Sequence, residues 1–272
     1  MNNFSYSPAA LVASPWRHRQ LIAALVKREV LARYRGSALG MLWSFFNPLF
    51  MLAVYTFVFS VVFKARWDGG ESSKSEFALL LFAGMIVFNL FADCINRAPG
   101  VIIANTNFVK KVVFPLDILP WVTLLAALFH LSISLGVWLL FHLIFFGLPS
   151  LSLALFPLVI MPLALMILGL SWFLASLGVY LRDVGQIMGV LTTALLFLSP
   201  IFYPVAALPP AYQTWIHLNP LTPVIEQARQ VLFYGGSLAL YPWAIQFGLG
   251  LLIAWLGYLW FQKTRKGFAD VL

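Results

Sequence analysis

Long apolar stretches alternate with short charged segments along the chain. The stretch from residue 36 to residue 63 contains no Asp, Glu, Lys or Arg, and neither does the stretch between Asp117 and Arg182. About 20 helical residues cross a bilayer, so the second stretch is long enough for two crossings, and the FGLPS turn at 146–150 divides it. The pattern predicts six spans, at about 37–63, 77–95, 118–145, 151–180, 184–203 and 242–261.

The composition indicates an all-α membrane protein. Of the 272 residues 62% are hydrophobic and 10% are charged, whereas about a quarter of the residues of a soluble domain are charged. The net charge of +8 does not indicate nucleic-acid binding, because the chain has no soluble domain to carry a basic surface. The single cysteine, Cys94, excludes an intrachain disulfide. We expect an N-terminal segment (1–36), a transmembrane domain (37–262) and a short tail (263–272).

The distribution of basic residues predicts the orientation of the spans. Lys and Arg are concentrated before span 1, after span 6, and in the loops between spans 2 and 3 and between spans 4 and 5. Arg229 falls on the opposite side, where Glu226 offsets it. Cytoplasmic loops carry an excess of Lys and Arg, so both termini are expected in the cytoplasm. The first apolar run begins near Ser37, so span 1 is expected to serve as an uncleaved insertion signal.

Two segments outside the spans are predicted to be helical. Residues 17–36 place Ile22, Ala23, Val26 and Val30 on one face, which predicts an amphipathic helix along the inner membrane surface, in contact with anionic lipid. A plain extension of span 1 is the alternative. The cationic residues expected at this interface are Lys27, Arg28, Arg33 and Arg35. Residues 204–240 are rich in Pro and aromatics, and predict short interfacial or re-entrant helices on the outer side.

The sequence offers little catalytic chemistry. His130 and His142 have no carboxylate or cysteine at metal-ligand spacing, so no metal site is predicted. No G-x-x-x-x-G-K-[ST] motif is present, so no ATP site of that type is expected in this chain. Asp117 and Asp183 stand singly, which disfavours a membrane-embedded enzyme with paired acidic groups. If the chain moves a substrate, we expect the energy to come from a separate cytoplasmic ATPase.

Four segments in order resemble one family over nearly the whole chain. They are KREVLARYRGSALGMLWSFFNPLFMLAVYTFVFSVVF (27–63), NTNFVKKVVFPLDILP (105–120), YLRDVGQIMGVLTTALLFLSPIFYP (180–204) and LNPLTPVIEQARQVLF (218–233). Together they resemble type-2 ABC transporter permeases of the subfamily that exports O-antigen, teichoic acid or capsule polysaccharide.

The resemblance implies a partner set and a location. It implies a homodimer in the cytoplasmic membrane of a bacterium, with two copies of an ATPase subunit that binds ATP and Mg. It also implies export of a lipid-linked polysaccharide between the two permease copies. Permeases for drugs or small lipids are an alternative within the same family, and an envelope-sugar enzyme is an alternative from another class.

The resemblance also assigns the candidate coupling residues. It implies a short coupling helix in the loop after span 2 that ends at Phe114 and Pro115 and enters a cleft of the ATPase. The coupling candidates are Asn105, Phe108, Val109, Lys110, Lys111, Phe114 and Pro115, with Arg182 and Asp183 in the second cytoplasmic loop. A role for Lys110 and Lys111 in orientation and lipid-headgroup contact alone is the alternative reading of that pair.

Aromatic residues of spans 1 and 5 are candidates for a substrate pathway. Trp43, Phe46, Phe50 and Phe57 share one helical face, and Tyr55 lies on another. Phe197 and Tyr203 stand near the end of span 5. Aromatic rings present apolar faces for sugar rings to stack on, which suits a glycan. The alternative is an ordinary lipid-facing or helix-packing stripe, with Trp and Tyr at the membrane interface.

Overall fold

The computed structural model describes residues 8–58, 67, 73–109 and 114–272. Its α-helices, with short 3-10 turns between several of them, are α1 (Pro8–Arg17), α2 (Arg19–Arg33), α3 (Trp43–Tyr55), α4 (Lys74–Arg97), α5 (Thr106–Val109), α6 (Leu119–Phe146), α7 (Phe156–Tyr180), α8 (Val184–Leu198), α9 (Pro210–Leu218), α10 (Leu221–Leu232), α11 (Leu240–Thr264) and α12 (Phe268–Val271). No strand occurs within these ranges, so the predicted all-α class is confirmed.

Within the part of the chain that the structure describes, five helical stretches are long and apolar enough to cross a bilayer. They are Gly40–Val58, Lys74–Gly100, Leu116–Phe146, Leu151–Tyr180 and Leu240–Val271. These stretches coincide with predicted spans 1, 2, 3, 4 and 6. The end of predicted span 1, residues 59–63, lies outside the described residues.

Predicted span 5 is shorter than expected. Its helix, α8, ends at Leu198 rather than near Tyr203. Pro200 disfavours helical backbone at the residue before it, and Ser199 is accordingly extended. A side chain from another segment binds the C-terminal end of α8: Asn219 Nδ2 donates to the carbonyl of Leu198 at 3.2 Å and to Ser199 Oγ at 2.9 Å. The prediction of helix as far as residue 203 was therefore wrong.

The helix α4 forms the centre of the bundle. Every residue from Phe77 to Phe88 is buried, and α6, α7, α8 and α10 pack around it. A helix that is apolar on all sides is stable in a protein core or in lipid, and this stretch of α4 lies in the core.

Helices α7 and α11 approach closely through glycines. A Cβ atom at Gly169 would lie 2.2 Å from the carbonyl oxygen of Ile253, and one at Gly257 would lie 2.0 Å from that of Gly169. Small residues allow the main chains of membrane helices to meet at such distances. The contact fixes span 6 against span 4.

Two helices, α9 and α10, form in the segment where short outer helices were expected. All of α9 is partly or fully exposed, whereas α10 buries an apolar face between α4 and α7. The position of Arg229 corrects the expectation of a loop charge, because its side chain is only 4% exposed. Its Nε donates to the carbonyl of Leu80 and its Nη2 to that of Ile201, each at 2.9 Å, and its guanidinium lies 4.1 Å from the Trp67 ring centre.

The predicted interface helix forms with different bounds. It begins at Arg19, and a separate helix, α1, precedes it where no helix was expected. Ile22 and Leu25 of α2 pack with Ile118 and Val122 at the start of α6. At the other end of α2, Tyr34 Oη lies 3.3 Å from His130 Nδ1, well along α6. The helix thus packs along the first half of α6, and its position along the inner membrane surface stays a prediction.

Candidate functional site

An ion-pair network holds the C-terminal half of α2 against the end of α4. Arg33 donates to both carboxylate oxygens of Asp93, at 3.0 and 3.3 Å. Arg97 pairs with Glu29 and lies 3.8 Å from Asp93. Arg33 and Glu29 of α2 thus each pair with a residue of opposite charge on α4, and the two pairs hold α2 against the end of that span. A single exposed pair contributes little, but a connected network with a bidentate arginine contributes more.

The loop after span 2 folds back on α2. The rings of Phe108 and Phe114 stack with centroids 4.1 Å apart and an interplanar angle of 11°. The Arg28 guanidinium of α2 lies 5.7 Å from the Phe108 ring centre, a cation–π distance. Both phenylalanines are half-buried against the cluster of Ile22 and Leu25. The two rings therefore pack against each other and against α2 while staying partly exposed, and their role in docking an ATPase stays a prediction.

The remaining coupling candidates divide between described and undescribed residues. Asn105 Nδ2 donates to the carbonyl of Val101 at 2.9 Å and so shapes its own turn, while Val109 is half-buried. The helix α5 is described from Thr106 to Val109, and Phe114 and Pro115 are not helical, so the part of the predicted coupling helix between them lies outside the described residues. Lys110 and Lys111 lie outside the described residues.

The loop rejoins the bundle at Asp117, which is 6% exposed. Its carboxylate accepts a hydrogen bond from Ser14 of α1 and lies 3.5 Å from Arg265 at the end of α11. Its main-chain carbonyl accepts from Trp172 Nε1 of α7 at 3.0 Å. Asp117 therefore connects the loop exit to α1, α7 and the C-terminal segment. Asp117 is paired, and no pattern in the sequence identifies its partners.

A polar cavity of about 600 Å³ lies between α3, α4 and α6. Its polar lining includes Ser44, Asn47, Asn89, Asp93, Asn96, His130 and Ser134. Asn96 accepts from Thr192 of α8 at 3.0 Å, whereas none of the described residues hydrogen-bonds the side chains of Asn47 and Asn89. Polar groups inside a membrane domain are costly and face a cavity or a polar partner. The cavity thus offers free amides to a polar, hydroxyl-rich ligand.

The structure separates the predicted pathway aromatics into two groups. Trp43 and Tyr55 line the polar cavity. Tyr55 contacts Phe202 at 5.6 Å between ring centres, Phe202 contacts Phe197 at 5.8 Å, and Tyr203 Oη donates to the carbonyl of Phe197 at 3.0 Å.

The second group of aromatics points away from the cavity. Phe46, Phe50 and Phe57 do not line it and are 41%, 67% and 60% exposed, and Phe57 lines a separate cavity with Phe141 and Phe145 of α6. The cavity is therefore lined by aromatic and polar residues from only one face of α3.

The other predicted interface residues are exposed. Lys27, Arg28 and Arg35 are exposed in the N-terminal segment, and Arg182 and Asp183 are exposed in the turn before α8. Asp183 is the residue before α8, but its side chain makes no capping hydrogen bond. Burial raises the pKa of Tyr34, which joins the N-terminal segment to His130.

Sequence reasoning missed Asp93, Asn89 and Glu29. Asp93 and Asn89 lie within a strongly apolar span and Glu29 lies within a basic segment, so the surrounding patterns did not single them out. Their signal in the sequence is their rarity, because an acidic or amide side chain in a span needs a partner or a water-filled space.

Residues 20–233 match the family described as ABC-2 type transporter. The chain belongs to this family. The match covers α2 through α10, and so includes the ion-pair network, the loop after span 2 and the polar cavity.

Characterised relatives resemble the chain over most of their length. An O-antigen export system permease protein RfbA of Myxococcus xanthus is 28% identical, over 96% of this chain and 98% of that protein. A capsule polysaccharide export inner-membrane protein CtrC of Neisseria meningitidis is 25% identical, over 92% of each chain. A polysialic acid transport protein KpsM of Escherichia coli is 24% identical, over 79% of this chain and 81% of that protein.

Proposed function

We propose that the chain is the permease subunit of an ABC exporter that moves a polysaccharide of the O-antigen or capsule type across the cytoplasmic membrane. The observation that carries this proposal is similarity over nearly the full length of both chains to an O-antigen export permease, with capsule exporters as further relatives. The polar cavity supports a glycan rather than an apolar drug, because its free amides match hydroxyl groups.

The energy for export comes, in this proposal, from a separate ATPase subunit. The sequence carries no phosphate-binding loop of the Walker type. The loop between α4 and α6 is the proposed docking element, with Lys110 and Lys111 toward acidic groups of the ATPase. ATP and Mg would be held by that partner, and the permease itself would catalyse no reaction. We further propose a homodimer, a lipid-linked form of the glycan, and two ATPase copies.

Complementation tests the proposed cargo. A host lacking this gene is expected to lose its surface polysaccharide and to accumulate the glycan inside the cell. Expression of the chain together with its ATPase should restore the surface glycan, measured by immunoblot and electrophoresis. A normal glycan coat in the deletion strain, together with new sensitivity to drugs, would instead indicate the small-molecule alternative.

Accessibility tests the proposed orientation, with both termini in the cytoplasm. A tag inserted at Ser72, which lies outside the described residues, should be labelled from outside spheroplasts. A tag after Leu272 should be labelled only after the membrane is opened. The reverse pattern would contradict the orientation without affecting the cargo.

A further inference from the structure

An open groove of about 1100 Å³ runs between α2 and the first half of α6. On α6 its wall runs along one stripe from Trp121 to Ser132, and on α2 from Arg19 to Leu31. Trp121 and Ser132 are eleven positions apart, and a rise of about 1.5 Å per position makes the wall about 16 Å long. This is close to half of the roughly 30 Å hydrocarbon core, so the groove is as deep as one leaflet.

The chemistry of the groove changes along its length. Trp16, Arg19 and Trp121 line it near the start of α6, and the Arg19 guanidinium lies 5.4 Å from the Trp16 ring centre. Farther along α6 the wall is apolar, with Leu128 and Phe129 facing the groove. Tryptophan and arginine are typical of the level of the lipid headgroups. Aliphatic and phenyl groups are typical of the acyl region. The groove therefore has the polarity gradient of a single lipid molecule.

The charge of the groove is of one sign. Arg19 and Lys27 line it and both are exposed, and no acidic residue occurs among its described lining residues. The nearby acidic residue Glu29 pairs with Arg97 on the side toward α4. Lys27 lies about two turns beyond Arg19, but a long lysine stem carries its ammonium toward the polar region. The two cations thus favour a ligand that carries negative charge beside its apolar part.

We propose that this groove is a binding site for one anionic phospholipid, of the phosphatidylglycerol type, from the cytoplasmic leaflet. The phosphate lies beside Arg19 and within reach of Lys27, and an acyl chain follows the stripe toward Phe129. The choice of leaflet rests on the orientation proposed above, whereas the site itself is independent of the exported cargo. A lipid held here fills the space between α2 and span 3, and so supports the position of α2 beside the bundle.

Native mass spectrometry of the purified permease–ATPase complex tests the site. The complex is stripped of lipid in detergent and titrated with phosphatidylglycerol or, separately, phosphatidylcholine. Ala23 lines the groove, and its exposed neighbour Ala24 does not, so Ala23→Phe and Ala24→Phe form a matched pair. Ala23→Phe should abolish the tightly bound phosphatidylglycerol, and Ala24→Phe should leave it as in the wild type.

A charge-matched pair tests the headgroup contact. Arg19→Gln with Lys27→Gln should weaken binding of phosphatidylglycerol about thirtyfold, since each basic residue near an anionic lipid contributes about a fivefold change in affinity and the two changes multiply. Lys263→Gln with Lys266→Gln removes the same charge from the exposed C-terminal segment and should have no such effect. Binding of phosphatidylcholine should be weak and equal in all variants. Thermal unfolding verifies that each variant is folded before its lipid binding is compared.

Three outcomes would overturn the proposal. Phosphatidylglycerol retained by both Ala23→Phe and the Arg19–Lys27 variant would place the lipid elsewhere. Tight retention of a polyprenyl phosphate in place of phosphatidylglycerol would assign the groove to the carrier of the glycan. A change of oligomeric mass in Ala23→Phe, with no lipid bound in the wild type, would assign it to a second copy of the chain.

Discussion

Arg229 and Gly84 occupy one point of contact between α10 and α4. A Cβ atom at Gly84 would lie 2.9 Å from Arg229 Nη2, so the absence of a side chain there admits the guanidinium. From this position the arginine bonds the carbonyls of Leu80 and Ile201. Burial lowers the pKa of Arg229 to about 9, which leaves the group cationic at neutral pH. An outer helix is thereby fixed to the central span by one buried cation.

Gly84→Ala is expected to destabilise the protein by displacing this guanidinium. Each buried hydrogen bond that is lost costs about 1–3 kcal/mol when its partner stays unsatisfied. The measurement is thermal unfolding of the purified protein in detergent. Gly136→Ala in α6 is the matched control, since a Cβ there meets no atom within 4 Å. Equal melting temperatures for the two variants would contradict the contact.

Gly257→Ala and Gly169→Ala are expected to separate α7 from α11. The new Cβ atom would lie 2.0 or 2.2 Å from a main-chain oxygen, and a main chain within a helix cannot move aside locally. We expect a loss of folded protein on purification, judged by size-exclusion chromatography. Gly248→Ala, on the same helix α11 but with no atom within 4 Å of its Cβ, should purify as the wild type does.

The sequence predicts well those elements whose limits follow from apolar length. The helix α6 was predicted at 118–145 and forms at Leu119–Phe146, because a charge-free stretch in a membrane has few alternatives to a helix. The end of α8 was predicted too late in the chain. The apolar pattern continues beyond Leu198, but the proline at position 200 ends the helix there.

Partners distant in sequence were not predictable in the same way. The direction of α2 depends on the ion pair between Arg33 and Asp93, which lie sixty residues apart in sequence. Arg229 was counted as a loop charge because its acceptors are main-chain carbonyls, which every sequence contains. Helical periodicity indicates which face of a helix is apolar but not which neighbour covers it.

Exchange of the charges of Arg33 and Asp93 tests the network between α2 and α4. Arg33→Asp alone places two carboxylates together, and Asp93→Arg alone places Arg33 beside two further arginines. Each single variant should lower the melting temperature and the amount of exported glycan. The double variant should recover part of both losses, because the bidentate pair can form in reverse. Arg35→Asp, at an exposed position of the same segment, is the control. No recovery in the double variant would show that the pair is not what holds α2.

Reversal of the charges of Lys110 and Lys111 tests the proposed docking of an ATPase. Lys110→Glu with Lys111→Glu should reduce both co-purification of the ATPase and its stimulation by the permease, because acidic groups on the partner would now be repelled. Lys263→Glu with Lys266→Glu changes the same charge in the C-terminal segment and is the control. Unchanged ATPase activity and unchanged co-purification would leave the lysines with a role in orientation or lipid contact.

The two faces of α3 give the sharpest test of the export path. Asn47 and Asn89 both line the polar cavity without a partner among the described residues, whereas Phe46 and Phe50 do not line it and are exposed. Asn47→Leu with Asn89→Leu keeps the approximate volume but removes the hydrogen-bonding groups, so surface glycan should fall several-fold in a complex that still assembles. Phe46→Leu with Phe50→Leu should have a much smaller effect on export. The opposite result would place the glycan on the exposed aromatic face of span 1, as the aromatic pattern in the sequence suggested, and would make the cavity a packing feature.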